Sequence, residues 1–211
     1  MQGKVYIKNY IFDLDETLYN PKVPIMRLVS QNIDLYMKDY LNLKENDIKY
    51  LRNYYKKEYG TTLAGLMAEY KIDSYFFLQY VHNINYSHYL KEDPLLLNIL
   101  SRIDGRLAVF TNASKKHATD ILNLLGIAKL FNNIVSIEDV DFIPKPKLES
   151  FNRLLQIINI TPEKSLFIDN MQVNLQSAKK LKMKTALVWD RKIDEDFDYS
   201  LTSIYDIINI I

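Results

Sequence analysis

Asp13 and Asp15 stand one residue apart, directly after the apolar run Tyr10 to Phe12, and Thr17 follows two residues on. The run, rich in β-branched and aromatic side chains, predicts a short buried strand. The two acids then fall where the strand breaks into a loop. In an open parallel sheet, ligands bind at such strand ends. Neighbouring carboxylates repel each other unless a cation or a shared proton relieves them. The economical partner is a hard divalent cation with oxygen ligands and room for a phosphate. Acids after a strand can also do no more than cap the next helix, so the rest of the chain has to decide.

Further polar groups end apolar strands or lie in the loops after them. They are Thr111 and Asn112, Lys145 between Pro144 and Pro146, and Asp169 and Asn170. With the first pair they supply carboxylates for a cation, a hydroxyl and amides for anionic oxygens, and one ammonium. Phosphoryl transfer needs such a set, because it rests on positioning and on neutralising the equatorial oxygens. Each has a plainer reading. Lys145 between prolines can be a rigid turn, with Lys147 as a rival for its role, and Thr111-Asn112 can be a helix cap. His117 reads as a solvated helix residue, and His82 and His88 fall among tyrosines.

The elements that must carry these residues are legible from periodicity. Between Val23 and Leu90 no good strand appears. Leu28, Ile33, Leu35, Tyr36 and Tyr40 fall near helical spacing, as do Ile48, Leu51, Tyr54 and Tyr55. Leu63, Leu66, Met67 and Tyr70 predict a third helix, and Tyr75 to His82 a fourth. From Asp93 onward, strand alternates with helix. Asp93-Pro94 opens a helix to about Ile103. Strands are expected at Leu107 to Phe110, Ile134 to Ile137, Ser165 to Ile168 and Thr185 to Trp189. Helices start at Ser114 and Leu148, another carries Leu175, Ala178 and Leu181, and the tail from Leu201 to Ile211 reads as a packed helix. Such alternation means a parallel sheet with helices on both faces. The expected fold is an α/β core, residues 1–20 and 91–211, with an all-helical insertion, residues 21–90, after the first strand.

Composition narrows the function. The formal net charge of +1 draws the chain neither to nucleic acid nor to an anionic membrane. There is no cysteine, so disulfide and thiol chemistry are excluded. No apolar run approaches the ~20 residues of a membrane span, and no leader-like apolar stretch opens the chain. A cytoplasmic protein acting on a small molecule is expected, with no oligomeric state indicated.

These residues together resemble the haloacid dehalogenase-like superfamily of phosphohydrolases. Asp13-x-Asp15-x-Thr17, the hydroxyl of Thr111, Lys145 and Asp169 match its four motifs in order and spacing. The resemblance implies a Rossmann-like core with a helical cap after the first strand. It implies that Asp13 is the nucleophile, forming an aspartyl-phosphate, and that Asp15 is the acid and then the base. It implies Mg²⁺ on Asp13, on the backbone carbonyl of Asp15 and on Asp169, with Thr111, Asn112 and Lys145 holding phosphoryl oxygens. The chain departs from many relatives in carrying Asn170 where a second acid is common, with Asn174 further on. Dehalogenases of the superfamily lack the second acid of the first motif, so Asp15 argues for phosphate chemistry.

A narrower resemblance lies in Tyr59 to Leu66, Val81-His82 and Phe110 to Ala113, which are similar to pyrimidine 5′-nucleotidases of the superfamily. It implies a nucleoside 5′-monophosphate as substrate, with Tyr59, Thr61, Thr62 and His82 contacting the leaving group. Alternatives are a phosphatase of a sugar phosphate or phosphoglycolate, and a non-catalytic module or receiver built on a similar sheet. A receiver would not need the long helical insertion, and a dehalogenase ranks behind both.

Overall fold

The computed structural model describes residues 6–189 and 196–211. Its centre is β1 (Asn9–Phe12), buried along its whole length. Such a strand has no polar face to show, which fits the middle of a sheet covered on both sides. β2 (Arg106–Phe110) and β3 (Phe131–Val135) lie on one side of it, and β4 (Ser165–Asp169), β5 (Lys184–Val188) and β6 (Tyr199–Leu201) on the other. The order is β3-β2-β1-β4-β5-β6, with every recorded pairing parallel. The chain therefore winds outward in both directions from β1. Connections leaving β2 and β4 go to opposite sides, and a crevice opens at the carboxyl ends of β1, β2 and β4.

The insertion between β1 and β2 is helical, as the spacing predicts. It comprises α1 (Ile25–Leu41), α2 (Glu45–Tyr59), α3 (Thr62–Tyr70) and α4 (Ser74–Val81), followed by a 3-10 turn at Tyr86–His88. Asp73 caps α4 by accepting from the Tyr75 and Phe76 amides. Tyr36 and Tyr55 are buried, whereas Leu35, Tyr40 and Tyr54 are exposed. Helical spacing thus marked the helices correctly but a wider apolar face than is buried. α5 (Pro94–Leu100), α6 (Lys115–Leu124), α7 (Leu148–Ile158) and α8 (Gln172–Lys180) complete the layers around the sheet. Phe110, Phe151 and Phe167 meet edge to face beneath the crevice, at 5.3 and 5.2 Å between centroids. Among the described residues no helix is long and apolar enough to cross a membrane.

Three expectations move. The third strand ends at Val135, earlier than expected, because the Ser136 amide and hydroxyl both bond Asp139 Oδ2 and curl the chain into a turn. The fifth strand ends at Val188, since Trp189 adopts a φ of 64° and cannot continue the extension. The tail is not one helix. It begins as β6, which pairs with β5, and then forms a 3-10 helix at Ile204–Asn209 closed by a Ser203/Asp206 capping box.

Gly65 is where α3 meets α2. A Cβ there would lie 2.2 Å from Tyr55 Cγ and 2.6 Å from Tyr55 Cβ. Those atoms sit at the root of a fully buried side chain, so no rotamer change removes the clash. Helix propensity alone favours Ala over Gly by about 1 kcal/mol, and overpacking costs about 1–3 kcal/mol. Contact so close puts Gly65→Ala at the upper end, and a net loss of stability is expected. Urea denaturation would check it, and an unchanged or raised midpoint would contradict the packing account.

Candidate active site

β1 runs straight into Asp13, whose amide is still held in register by the Ile168 carbonyl at 2.8 Å. The chain then turns sharply. The Thr17 and Leu18 amides bond the Leu14 carbonyl, and Glu16 adopts a φ of 57°. A non-glycine residue at positive φ costs energy and persists only where its surroundings hold it. One such hold comes from the end of β5, where the Trp189 indole donates to the Thr17 carbonyl at 3.1 Å. This turn sends the two aspartate side chains to different partners.

Asp13 meets Lys145. Lys145 Nζ lies 2.7 Å from Asp13 Oδ1, 3.0 Å from Asp169 Oδ2 and 2.8 Å from the Phe110 carbonyl. Its three hydrogens are thereby all used. The rings of Phe110 and Phe167 lie 5.3 and 5.4 Å from the ammonium and add cation–π attraction. Asp13 Oδ2 accepts from the Thr17 hydroxyl at 2.8 Å. Asp169 also accepts from the Met171 amide and from the Asn174 side-chain amide. Burial raises Asp13 most, Asp169 and Asp15 push it the same way, and Lys145 pulls against them; Asp13 is left pushed up to about 7. Burial disfavours the Lys145 cation, but the two carboxylates outweigh it and hold Lys145 above its ordinary value.

Asp15 looks the other way. Its Oδ1 accepts from the Tyr19 hydroxyl at 2.7 Å and lies 2.7 Å from His117 Nε2. Burial would raise Asp15, but His117 first and Tyr19 with it outweigh burial, so its carboxyl lies below the ordinary range. The two neighbours thus stand in different environments: without a cation, burial works against charge on Asp13, while His117 and Tyr19 favour it on Asp15.

The remaining expected residues are placed as follows. Thr111 is buried at the end of β2, and its Oγ1 accepts from the Ala113 amide. The Asn112 side chain is spent on the backbone of Lys145, accepting from its amide at 2.8 Å and donating to its carbonyl at 3.1 Å. It shapes the Lys145 loop, and only its backbone amide is left to meet an anion. Lys147 is exposed before α7 and does not reach the carboxylates. A Cβ on Gly60 would lie 3.3 Å from Pro144 Cγ, so the Tyr59 to Thr61 segment rests on the Lys145 loop. The Thr61 hydroxyl caps α3 through the Ala64 amide, Thr62 is buried, and the Tyr59 hydroxyl bonds Glu69. His82 ends α4 with Nδ1 3.0 Å from the Ser114 hydroxyl. Burial, and then His117, push its imidazole down to about 3, so it is neutral at physiological pH.

His117 corrects the sequence reading. It is buried, not solvated, and touches Asp15. Its position was the missed signal: Ser114 caps α6, which puts His117 in the first turn of the helix leaving β2, facing the crevice. Tyr19, Tyr86 and Asn174 are further polar groups that motif spacing alone did not place.

Whether the set suits a metal ion is a matter of donors. Among the described residues no three His, Cys, Asp or Glu side chains gather into a metal-binding cluster. The Asp15 side chain is turned to His117, which leaves its backbone carbonyl, the donor expected, to meet a metal. Asp13 and Asp169 nevertheless converge from β1 and β4 on one ammonium, and burial keeps Asp13 from ionising freely. Hard oxygen donors short of positive charge fit a hard divalent cation.

Comparison with known proteins agrees with this layout. The family model of the haloacid dehalogenase-like hydrolases matches residues 10–188. Phosphate metabolism protein 8 of Saccharomyces cerevisiae is 31% identical, over 93% of this chain and 65% of the yeast protein, so the chain spans somewhat less than two thirds of that relative. Glyceraldehyde 3-phosphate phosphatase of Methanocaldococcus jannaschii is 26% identical over 97% of both chains. Among solved structures, a phosphatase from Thermococcus onnurineus superposes with a TM-score of 0.65 at 17% identity over 97% of both chains, a likeness of fold.

Proposed function

The chain belongs to the haloacid dehalogenase-like hydrolases, and from that premise we propose that it is a Mg²⁺-dependent phosphomonoesterase working through an aspartyl-phosphate on Asp13. The observation that carries this is the separation of the two acids. Asp13 shares the Lys145 ammonium with Asp169, while Asp15 is held apart on His117 and Tyr19. In the first step an Asp13 oxygen attacks phosphorus, the ester P–O bond breaks, and Asp15 gives its proton to the leaving oxygen. In the second, Asp15 takes a proton from water, the water oxygen attacks phosphorus, and the Asp13–phosphorus bond breaks to release phosphate. The Thr111 hydroxyl, with the Asn112 backbone amide, holds phosphoryl oxygens, and Lys145, whose hydrogens go to Asp13, Asp169 and the Phe110 carbonyl, offsets their charge. Asp13, Asp169 and the Asp15 carbonyl would hold Mg²⁺. When bound, the ion shields the carboxylate from the phosphate's charge.

The substrate is a small phosphomonoester. We favour a nucleoside 5′-monophosphate with a pyrimidine base, and residues 21–90 act as the cap over the core of residues 1–20 and 91–211. One feature supports this reading: the Tyr59 to Thr61 segment rests on the Lys145 loop. The second reading is a sugar phosphate or related metabolite. It draws on the name of the archaeal relative and on the internal bonding of Thr61 and the burial of Thr62, which leave fewer side chains to read a base. We place the reaction in the cytoplasm, with neither nucleic acid nor membrane as partner.

The test is a panel of UMP, CMP, AMP, GMP, glyceraldehyde 3-phosphate and phosphoglycolate, run with Mg²⁺ and again after EDTA. Phosphate release should favour UMP and CMP, stop in EDTA and return with Mg²⁺. Ca²⁺ should bind and inhibit, since it accepts higher coordination. Preference for a sugar phosphate would establish the second reading. No release from any ester would remove the phosphatase reading and leave a non-catalytic module.

A further inference from the structure

Trp189 is the chain's one tryptophan, and it ends β5 with a strained backbone. Its φ of 64° lies in the left-handed region, where a bulky side chain is an outlier. Such strain persists only where the surroundings hold it, and it collects at functional sites. The ring is half-buried against the core, so packing accounts for the ring but not for its polar atom. Indole Nε1 donates to the Thr17 carbonyl at 3.1 Å, across 172 positions of chain. In the sheet order β4 separates β5 from β1. The bond therefore joins the end of one strand to the loop after a strand that is not its neighbour.

Thr17 carries this bond to the chemistry. It is fully buried, and among the described residues no backbone amide donates to its carbonyl. A buried carbonyl without a partner is costly, and the Trp189 indole supplies the partner. The Thr17 hydroxyl in turn donates to Asp13 Oδ2 at 2.8 Å. Lys145 takes Asp13 Oδ1 at 2.7 Å, so Thr17 is what fixes the other oxygen. The turn between them is itself strained, with Glu16 at a φ of 57°. Its amide bonds, from Thr17 and Leu18 to the Leu14 carbonyl, are 3.2 and 3.0 Å long. Without the indole, the Thr17 peptide would turn toward another donor and draw the hydroxyl away from Asp13.

We propose that Trp189 is a positioning residue for the nucleophile: by binding the Thr17 carbonyl it sets the turn from which the Thr17 hydroxyl aims the Asp13 carboxylate. The inference rests on the nucleophilic role given to Asp13 above. The indole acts through Thr17, without touching substrate, and no proton passes through it. The reaction is unchanged. The bond from an Asp13 oxygen to phosphorus forms as the ester P–O bond breaks, both electrons of the latter staying on the leaving oxygen. What Trp189 governs is alignment, and a misplacement of about 1 Å at a reacting atom costs about 10²-fold.

The experiment measures single-turnover release of p-nitrophenol from p-nitrophenyl phosphate with Mg²⁺, in wild type, Trp189→Phe, Thr17→Val and the double variant. Each gives a maximal rate and a half-saturating concentration. Trp189→Phe keeps an aromatic ring and loses the donor. It should lower the maximal rate about 10–100-fold, the usual scale for an outer partner of a site residue, and change half-saturation little. Thr17→Val keeps the carbonyl and loses the hydroxyl, and should lower the rate by a similar factor. The double variant should then lose no more than the worse single variant, because both act on Asp13 by one route. Multiplied losses, a change in half-saturation alone, or no loss in Trp189→Phe would overturn the proposal. Replacement of Trp189 by 3-benzothienylalanine, with sulfur where the indole N–H stood, keeps the shape and carries the comparison if Trp189→Phe does not fold. A second measurement does not depend on turnover. One tryptophan gives one indole signal in the ¹H–¹⁵N spectrum. It should exchange slowly with solvent and shift in Asp13→Ala. A signal in free exchange, or one that Asp13→Ala leaves in place, would also overturn the proposal. If wild type hydrolyses no ester, the phosphatase reading falls, while the indole signal still decides whether Trp189 is tied to Asp13.

Discussion

Asp13→Asn is expected to abolish turnover and leave the fold intact. The side chain keeps its shape, but the amide nitrogen is no nucleophile toward phosphorus and carries no charge. Loss of a covalent nucleophile elsewhere costs about 10⁶-fold in kcat, and no second carboxylate here can replace it. Asp169 is bound by Lys145, Met171 and Asn174, and Asp15 points to His117. Phosphate release should fall below a few per cent of wild type once deamidated protein is removed by mass-checked purification. More activity than that would end the covalent route. Stability should move in the opposite sense. Without metal, burial outweighs Lys145 and pushes the Asp13 carboxyl up to about 7. Between the ordinary carboxylate range and that value, the folded chain keeps a proton that the unfolded chain releases. Wild-type stability in EDTA should therefore fall as pH rises through this window and flatten above it. The Asn variant should lack that part of the slope. Melting temperatures of both proteins between pH 4 and pH 8 would read the difference, and parallel curves would mean Asp13 ionises normally in the fold.

Three of the residues that gather at the crevice were legible because each ends an apolar run. Asp13, Thr111 and Asp169 follow strands buried on both faces, and a polar residue after such a run has nowhere to go but the strand end. The parallel sheet followed from the alternation after Asp93, whereas the strand order shows only in the pairings. What the sequence hid depends on neighbours distant in the chain. His117 lies 102 positions from Asp15, and helical spacing gives the face of α6 but not what covers it. Asn112 looked like a ligand for phosphate because amides suit anions, yet its side chain closes on the Lys145 backbone across 33 positions. Thr61 looked like a substrate contact because it belongs to a distinctive stretch, while its hydroxyl answers the local demand of a helix N-terminus. β6 was missed because Tyr199–Leu201 is too short to show a period and exists only by pairing with β5.

Asp15→Asn is expected to lower kcat about 10²- to 10⁴-fold for alkyl esters, the range for loss of a general acid and base. The amide can still accept from Tyr19 and meet His117 on one side, so the loop should hold its shape. What disappears is the exchangeable proton. An alkoxide leaving group depends on that proton, whereas an aryl phosphate leaves as a stable anion. The phosphorylation step should therefore lose far less with p-nitrophenyl phosphate. The second step has no such escape, because water must surrender a proton whatever the first leaving group was. The variant should form the aspartyl-phosphate from the aryl ester at close to wild-type speed and then stall. A rapid-quench burst of p-nitrophenol, about one equivalent per enzyme, followed by slow turnover, is the expected record. Denatured variant should carry phosphate on Asp13 that alkali or hydroxylamine releases. A burst that slows as much for the aryl as for the alkyl ester would remove Asp15 as leaving-group acid. The same burst with fast turnover would remove it as the base, and His117, joined with Tyr19 to Asp15, would become the candidate for water activation.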